Sequence, residues 1–302
     1  MLIHFYCSDK PREHMLAAAL AEGAAKHGDV LEIRRTGQYG EDDNENDLKY
    51  PGPSPETDVA CVFGVKGRSR RILDDHRAMG KTTLLLDKGY SRRKGEGGHT
   101  EYSRISVNDW HPLKYMMRQP RGSERWEKLG WRLPERNKAQ TGHVLLCLSS
   151  QKYNDFHKLG PCEDQARAII ASIRKHTGRQ IVYRPKPSSK AKPLAGVLYS
   201  GGNQVMIEAL RGAHCVVTHG ATSAMDAVIN GIPAITLGNC IASPVCETDL
   251  EKVEDPKWFK QRDRETWAHA MAWCQWATEE LRSGLAWKHL KTEIENQRKG
   301  KP

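Results

Sequence analysis

The sequence has no apolar run that approaches the roughly 20 residues needed to span a bilayer as a helix. Its first ten residues, MLIHFYCSDK, lack the basic start and long apolar core of a secretory signal peptide and are typical of a first β-strand. Aromatic residues make up only 7% of the 302 residues, charged residues make up 28%, and the mean hydropathy is −0.68. We therefore predict a globular cytoplasmic chain without a transmembrane segment.

Cysteine pairs and the common catalytic signatures are also missing. The eight cysteines are scattered without a CxxC pair, which favours free thiols in a reducing compartment over zinc ligands or disulfides. The chain contains no Walker A, HExxH or GxSxG motif. No DxD motif follows a predicted strand, and the acidic triplet at 41–43 lies in a polar loop. These absences disfavour P-loop, zinc-protease and serine-hydrolase chemistry.

Acidic residues are too few to balance the basic ones. Lys and Arg number 47 and Asp and Glu number 37, which gives a formal net charge of +10 and a pI near 9.2. Such a charge favours an anionic partner, which is a nucleic acid, an anionic membrane surface or a nucleotide. Charge alone does not distinguish among the three.

Apolar runs of strand length alternate with segments of helical spacing. In the first half, the pattern predicts strands at 2–7, 30–35, 58–64 and 82–90 and helices at 12–28 and 68–79. Beyond a basic segment at 116–138, it predicts strands at 142–150, 180–187 and 215–218 and helices at 162–178, 202–213 and within 263–297. This order favours parallel sheets covered by helices. We predict an α/β protein of two Rossmann-like domains, 1–138 and 139–302, that face a cleft.

The stretch VVTHGATSAMDAVINGIPAITLG, residues 216–238, contains the most informative polar pattern. An apolar strand ends at His219, and a helix begins a few residues later. Free backbone N–H groups at a helix start favour a phosphate, and Thr222 and Ser223 add hydroxyl donors. Asp226, on the same helix, is placed to accept hydrogen bonds from sugar hydroxyls. An ordinary helix cap with an acid in the first turn explains the same spacing, so both interpretations stand.

Three stretches together resemble the capsule polysaccharide synthesis glycosyltransferases, which have the GT-B fold. The pattern S-x-x-D-A-x-x-x-G-x-P resembles the nucleotide-sugar site of GT-B enzymes, which usually carry Glu where this chain has Asp226. VYRPKP, residues 182–187, is similar to their yRpHP strand end, with Lys186 in place of His. LLDKGYSRR, residues 85–93, is similar to their EDGFxRS loop, with Lys88 at the second acidic position. The three stretches also occur in the family's order.

The resemblance implies a transferase that uses a nucleotide sugar as co-substrate, with no tightly bound cofactor and no metal. It assigns donor binding to the second domain, through Arg184, Lys186, His219, Gly220, Thr222, Ser223 and Asp226. Arg184 and Lys186 at a strand end suit the leaving phosphate. Glycosyl transfer also needs a carboxylate or base opposite the leaving group. Asp87 is the first catalytic candidate and Asp9 is the second, while a turn role for Asp87 and a structural role for His219 stay open.

The identity of the acceptor separates the remaining hypotheses. The basic stretches 88–104 and 116–138 interleave Tyr and Trp, and the candidate acceptor-binding residues are Lys88, Tyr90, Arg92 and Arg93. They favour duplex DNA with a hydroxymethylated base, as for a phage enzyme in its host's cytoplasm, over the lipid-linked glycan that the capsule resemblance implies. Two solvated loops explain the same pattern. A DNA-binding accessory without catalysis and a sugar-nucleotide epimerase are the alternatives. The sequence does not predict an oligomeric state.

Overall fold

The computed structural model describes residues 1–36, 50–65, 67–91, 102–118, 122–137, 142–186, 189, 191–201 and 204–300. These residues form two compact units. The first unit contains the described residues up to 91, from 102 to 118 and from 274 to 300, and the second contains those from 122 to 273. Each unit is built on a mainly parallel sheet with helices, so the predicted class of an α/β protein with two Rossmann-like domains is confirmed.

Strands and helices alternate through most of the chain. The strands are β1 (Leu2–Cys7), β2 (Val30–Arg35), β3 (Val59–Phe63), β4 (Thr82–Lys88), β5 (Tyr102–Val107), β6 (Val144–Leu148), β7 (Ile181–Arg184), β8 (Leu198–Tyr199), β9 (Cys215–His219), β10 (Ala234–Thr236) and β11 (Gln275–Ala277). The helices are α1 (Pro11–Ala25), α2 (Arg68–Ala78), α3 (Leu113–Met117), α4 (Glu124–Leu129), α5 (Gln151–His157), α6 (Cys162–Ile173), α7 (Met206–Leu210), α8 (Ser223–Val228), α9 (Gln261–Ala272), α10 (Thr278–Arg282) and α11 (Leu285–Arg298). In the described part of the chain, no helix is long and apolar enough to cross a membrane.

The first unit has a six-stranded sheet in the order β11-β5-β4-β3-β1-β2. The strands from β2 to β4 are parallel, whereas β5 runs antiparallel to β4 and β11 antiparallel to β5. β1, β3 and β4 are buried along most of their length and are rich in apolar residues, as expected for parallel strands that are covered on both faces. β2 lies at the edge and is largely exposed.

The C-terminal residues return to the first unit, which differs from the predicted domain limits of 1–138 and 139–302. Trp287 of α11 is fully buried, and its indole N–H donates to Asp29 Oδ2 at 2.7 Å. Lys291 Nζ lies 2.8 Å from the same oxygen. Burying an indole ring stabilises the docked helix when its N–H also has an acceptor. The C-terminal helices therefore pack on the first unit, whereas the sequence analysis assigns them to the second.

The second unit has five parallel strands in the order β10-β9-β6-β7-β8. Along the chain, the first strand of this sheet is the central strand β6, and β7 and β8 follow on one side of it. The chain then crosses to β9 on the other side, so the order in which strands are added reverses between β6 and β9. Open sheets of this kind bind ligands outside the carboxyl ends of their strands, at the point where the strand order reverses.

Short elements account for most differences from the predicted secondary structure. The helix predicted at 202–213 is shortened to α7, and residues 202 and 203 lie outside the described ranges. β11 interrupts the tail predicted as helical at 263–297, and α4 lies within the basic segment 116–138. The sequence does not predict β5, β8 or β11. β8 and β11 have only two and three residues, and strands this short depend on pairing with neighbours more than on a local apolar pattern. β5 is longer, but serine and arginine residues interrupt its apolar pattern.

A buried histidine makes the stability of the first unit depend on pH. His76 of α2 is fully buried, with Nδ1 2.7 Å from the Ile72 carbonyl oxygen and Nε2 3.2 Å from the Tyr6 hydroxyl. Burial lowers the pKa of His76 below the usual 6.5, although the Ile72 carbonyl and Asp75 oppose the shift. At a pH between the folded and unfolded pKa values, His76 is therefore mainly neutral in the folded chain and mainly protonated in the unfolded chain.

We expect the free energy of unfolding to decrease as the pH falls below about 6.5, because the unfolded state then binds more protons. His76 contributes a slope of at most about 1.4 kcal/mol per pH unit, and its stabilising contribution is complete above the unfolded pKa. Urea denaturation at several pH values measures this slope. His76→Gln should reduce it, since glutamine keeps hydrogen-bonding groups and does not titrate. His14→Gln on α1 is the matched control, and equal slopes in the two variants would contradict the assignment.

Candidate functional site

Two of the three sequence motifs meet at the centre of the second unit's sheet. Cys147 in β6 is the register partner of Arg184 at the end of β7 and of Thr218 in β9. Register partners in a sheet place their side chains on the same face. The end of the VYRPKP strand and the strand leading into His219 therefore flank one residue near the carboxyl end of β6.

The surroundings of the Cys147 thiol show which polar groups lie close together. Burial raises the pKa of Cys147 to about 12, Arg184 and a hydrogen bond with Ser223 oppose the shift, and Asp226 adds to it. Three of the predicted donor-binding residues are thus within electrostatic reach of one buried thiol. We call Cys147, Arg184, Ser223 and Asp226 the Cys147 cluster. Sequence reasoning missed Cys147 because a cysteine in an apolar strand reads as an ordinary core residue.

The members of the Cys147 cluster differ in their exposure. Arg184 and Ser223 are buried, whereas Asp226 and the neighbouring Thr222 are half-buried. Arg184 Nη2 donates to the Gln204 carbonyl oxygen at 2.6 Å, and the Ser223 hydroxyl lies 3.4 Å from the threonine hydroxyl near the end of β9. These bonds fix the two buried side chains. Asp226, in the first turn of the six-residue helix α8, is the half-buried member of the cluster, and Thr222 precedes that helix.

An aromatic residue that sequence reasoning missed fills the space beside His219 and Gly220. Tyr153 of α5 is 2% exposed, and its ring centroid lies 6.0 Å from that of His219. Gly220 has a φ of +69°, and a Cβ at this position would overlap the Tyr153 ring. A Cβ on Gly238 would lie 2.6 Å from the His219 ring. The sequence analysis assigns Gly220 to donor binding, and the structure places the Tyr153 ring against it.

Burial also lowers the pKa of His219, which therefore favours the neutral imidazole. Its ring packs between Tyr153 and the backbone at Gly238. Donor binding and a structural role both remain predictions for His219.

Lys186 lines a cavity of about 300 Å³ in the second unit. The cavity lies beyond the carboxyl ends of β6 and β7, where the chain leads into α5 and α6, and its lining includes Ser149, Ser150 and Tyr183. All seven predicted donor-binding residues are described, and Lys186 is the one that lines this cavity. Lys186, which follows β7, thus contributes to the lining of this cavity.

In the first unit, Asp87 lies near the carboxyl end of β4 and forms an ion pair with Arg104 of β5. Arg104 Nη2 donates to Asp87 Oδ2 at 2.8 Å, and the Arg104 side chain is buried while 33% of the Asp87 side chain is exposed. Burial alone lowers the pKa of Arg104, but the charge of Asp87 raises it overall. Arg104 Nη1 lies 3.0 Å from the Trp110 carbonyl oxygen and 2.9 Å from His111 Nδ1. A buried guanidinium therefore fixes the Asp87 carboxylate.

The loop after β4 is held tightly against its neighbours. Lys88 is exposed, whereas Tyr90 is 2% exposed, and the Tyr90 backbone N–H donates to Gln275 Oε1 at 2.7 Å. A Cβ on Gly89 would lie 2.7 Å from the Tyr102 carbonyl oxygen, so only glycine fits. Tyr90 therefore contributes to packing, and of these two predicted acceptor-binding residues Lys88 is the exposed one.

The remaining predicted residues are at the start of α1 and beyond the described ranges. Asp9 is exposed just after β1, beside a turn that Ser8 and Glu13 fix through bonds of 2.7 and 2.9 Å to Glu13 Oε2. Arg92 and Arg93 lie outside the described residues. Over the described ranges, no group of three or more His, Cys, Asp or Glu side chains is arranged to hold a metal ion. A site that works without a metal stays a prediction.

Comparisons with known proteins bear on the fold. No protein-family model and no curated protein matches the chain. The solved structure of the β-Kdo 2,4 transferase of KpsC from Thermosulfurimonas dismutans is similar over 89% of this chain and 90% of its own, with 12% identity and a TM-score of 0.51. The β-Kdo 2,7 transferase of the same KpsC is similar over 96% and 100%, with 13% identity and a TM-score of 0.49. The UDP-GlcNAc 2-epimerase of Methanocaldococcus jannaschii, solved with UDP-GlcNAc and UDP, is similar over 97% and 100%, with 12% identity and a TM-score of 0.31. The first of these matches shows that this chain shares the two-domain, Rossmann-like fold of GT-B glycosyltransferases.

Proposed function

We propose that the chain is a glycosyltransferase that moves a sugar from a nucleotide-sugar donor to an acceptor. The observation that carries the proposal is the convergence of Arg184, Ser223 and Asp226 around Cys147 at the carboxyl ends of adjacent parallel strands. The shared fold with the KpsC β-Kdo 2,4 transferase supports it. Carboxyl ends of parallel strands are where open α/β sheets bind nucleotides.

The residues of the second unit suit the donor. The Arg184 guanidinium is fixed in place, so it can stabilise the negative charge of a leaving phosphate without reorganising. Lys186 adds a second cation at the end of the same strand. The Asp226 carboxylate accepts hydrogen bonds, which suits the hydroxyls of a ribose or a sugar. Thr222 contributes a hydroxyl beside it.

We assign the catalytic base or nucleophile to Asp87 in the first unit. Glycosyl transfer passes through an oxocarbenium-like transition state that a carboxylate stabilises or a base assists. Arg104 holds the Asp87 carboxylate in one orientation, which suits a group that must meet a reacting atom at a fixed position. Asp9, exposed after β1, is the second candidate.

The favoured acceptor is a hydroxymethylated base in duplex DNA, and a lipid-linked glycan is the alternative. The net charge of +10 and the exposed Lys88 support an anionic acceptor. Tyr90 is buried, so its ring does not support the DNA hypothesis as an exposed aromatic residue. A capsule-type glycan is supported by the three motifs that resemble capsule glycosyltransferases. Transfer to each of these two acceptors is therefore measured.

Asp226→Ala is expected to weaken nucleotide-sugar binding by about 10- to 100-fold, since a hydrogen bond to a charged group contributes about 1.5–3 kcal/mol. The measurement is a thermal-shift panel of nucleotide sugars on the wild-type chain, followed by titration of the stabilising donor against the variant. Asp263→Ala, an exposed acid on α9, is the control and should bind as the wild type does.

Three results would redirect the proposal. Equal donor affinity in Asp226→Ala would remove this carboxylate from the site. A salt-sensitive shift with duplex DNA, in the absence of any nucleotide effect, would favour a DNA-binding accessory. Conversion of the donor without any acceptor would favour an epimerase. Product formed on hydroxymethylated DNA, or on a lipid-linked glycan, identifies the acceptor.

A further inference from the structure

Three residues in adjacent strands of the first unit form a row that includes the candidate catalytic carboxylate. Asp87 in β4 is the register partner of Arg104 in β5, and Arg104 is the register partner of Gln275 in β11. Register partners place their side chains on the same face of a sheet. The row therefore connects Asp87 to residues 274–300, which we call the C-terminal segment.

Both oxygens of the Asp87 carboxylate accept a hydrogen bond from the protein. Oδ2 accepts from Arg104 Nη2 at 2.8 Å, and Oδ1 accepts from the backbone N–H of Lys88 at 2.8 Å. A carboxylate oxygen has two lone pairs, so each oxygen can also meet a substrate group. The direction of the carboxylate thus depends on the position of Arg104 and on the path of the loop that begins at Lys88.

Gln275 fixes that loop through three hydrogen bonds. Its Oε1 accepts the backbone N–H groups of Tyr90 and Ser91, at 2.7 and 3.1 Å, and its Nε2 donates to Ser91 Oγ at 2.7 Å. Gln275 and Ser91 are buried, and a buried N–H that loses its acceptor is costly to leave unpaired. The path of the loop from Tyr90 to Ser91 therefore depends on the Gln275 amide.

A second connection runs through the side chain of Tyr90. The Tyr90 hydroxyl lies 3.1 Å from His111 Nδ1, and Arg104 Nη1 lies 2.9 Å from the same nitrogen. A guanidinium only donates, so Nδ1 is the accepting nitrogen and the tyrosine hydroxyl is the donor in its own contact. Tyr90 and His111 are both buried. The Tyr90 hydroxyl thus helps to fix the guanidinium that binds Asp87 Oδ2.

We propose that Gln275 is a positioning residue for Asp87 and acts through Tyr90. The bonds of the Gln275 amide fix the loop whose first N–H meets Asp87 Oδ1. They also hold the Tyr90 hydroxyl in the network that directs the Arg104 guanidinium at Oδ2. A displacement of about 1 Å can slow a reaction about 100-fold, so the direction of this carboxylate matters. The inference rests on the proposed function and adds the C-terminal segment to the reaction centre.

The first measurement does not require activity. Hydrogen exchange followed by mass spectrometry reports how often the backbone N–H groups of Tyr90 and Ser91 open. In Gln275→Leu, the peptide that contains them should exchange about tenfold faster than in the wild-type chain, since leucine has a similar size and no acceptor. Gln297→Leu is the matched control, because Gln297 belongs to the same segment and its Nε2 lies 3.5 Å from the Val107 carbonyl oxygen, at the other end of β5. It should leave the exchange of that peptide unchanged.

The second measurement is transfer from the nucleotide sugar that stabilises the chain. We expect Gln275→Leu to lower kcat by about tenfold or more while the KM for the donor stays within about twofold, because the donor residues lie in the second unit. Gln275→Glu should restore most of the kcat, since its carboxylate can accept the same two N–H groups and the Ser91 hydroxyl can donate to its second oxygen. Tyr90→Phe removes the hydroxyl alone and should also lower kcat at an unchanged donor KM.

Two results overturn the inference alone. The first is equal exchange of the Tyr90 and Ser91 peptide in Gln275→Leu and Gln297→Leu, which would mean that these bonds do not hold the loop. The second is faster exchange with a kcat equal to that of Gln297→Leu, which would mean that the loop moves without disturbing Asp87. If circular dichroism shows Gln275→Leu to be unfolded, a wild-type kcat in Tyr90→Phe decides against the inference. If the wild-type chain consumes no nucleotide sugar, the proposed function fails and this inference fails with it.

Discussion

Replacing Gly220 with alanine is expected to lower the free energy of unfolding of the second unit by about 2–5 kcal/mol. The positive φ of +69° contributes about 1–2 kcal/mol of backbone strain for an alanine. Overlap of the new methyl group with the Tyr153 ring contributes a further amount of about 1–3 kcal/mol, as for other overpacked cores. The ring cannot swing aside freely, because it is buried and lies 4.3 Å from the His157 ring, centroid to centroid.

Gly196→Ala is the matched control for this prediction. Gly196 lies in the same unit with a φ of +75°, and a Cβ there meets nothing within 4 Å. It should therefore lose the backbone contribution alone, about 1–2 kcal/mol. Urea denaturation of both variants gives the comparison. Equal losses in the two variants would show that Tyr153 does not occupy the space beside Gly220.

Asp87→Ala is expected to destabilise the first unit by about 2–4 kcal/mol as well as to stop transfer. Removing one partner of a buried ion pair costs about 3–5 kcal/mol, and the value here is lower because a third of the Asp87 side chain is exposed. Arg104 would be left buried with its charge uncompensated by the carboxylate. Denaturation measures the loss of stability, and the donor thermal shift should persist because the donor residues lie in the second unit.

A second variant of Asp87 and a control variant separate the loss of stability from the loss of catalysis. Asp87→Asn keeps an oxygen that accepts from Arg104, so it should lose less stability and still slow transfer by about 100-fold or more if Asp87 is the base or nucleophile. Glu22→Ala removes an exposed ion pair with Arg282, at 3.3 Å, and should leave the free energy of unfolding nearly unchanged. Normal turnover in Asp87→Asn would make Asp9 the leading candidate.

The regular elements of the two sheets are readable from the sequence because their signals are local. β3 and β6 are continuous apolar runs, β1 and β4 contain shorter apolar runs, and α1 ends at Ala25, shortly before Gly28 with its φ of +73°. No local pattern predicts the unit on which the C-terminal helices pack. Their packing depends on the contact between Trp287 and Asp29, which are 258 positions apart in the chain. No periodicity in the tail distinguishes one unit from the other as its partner.

The same limit applies to the candidate site. The motifs identify Arg184, Ser223 and Asp226, but their meeting point depends on the register of β6 with β7 and β9, which the sequence does not contain. Gly220 shows the same limit, because the residue that requires a glycine there is a tyrosine on α5 that only the fold brings near.

The position of β11 along the chain decides when the sheet of the first unit can be completed during synthesis. β11 pairs residues 275–277 with β5, and it follows the whole of the second unit along the chain. The second unit can therefore finish folding while the sheet of the first still has an open edge at β5. Unpaired edges invite pairing with other chains, and contacts between distant residues form slowly. A nascent chain is thus exposed to misassembly until residues 275–277 have emerged, even though β1 to β5 are synthesised long before.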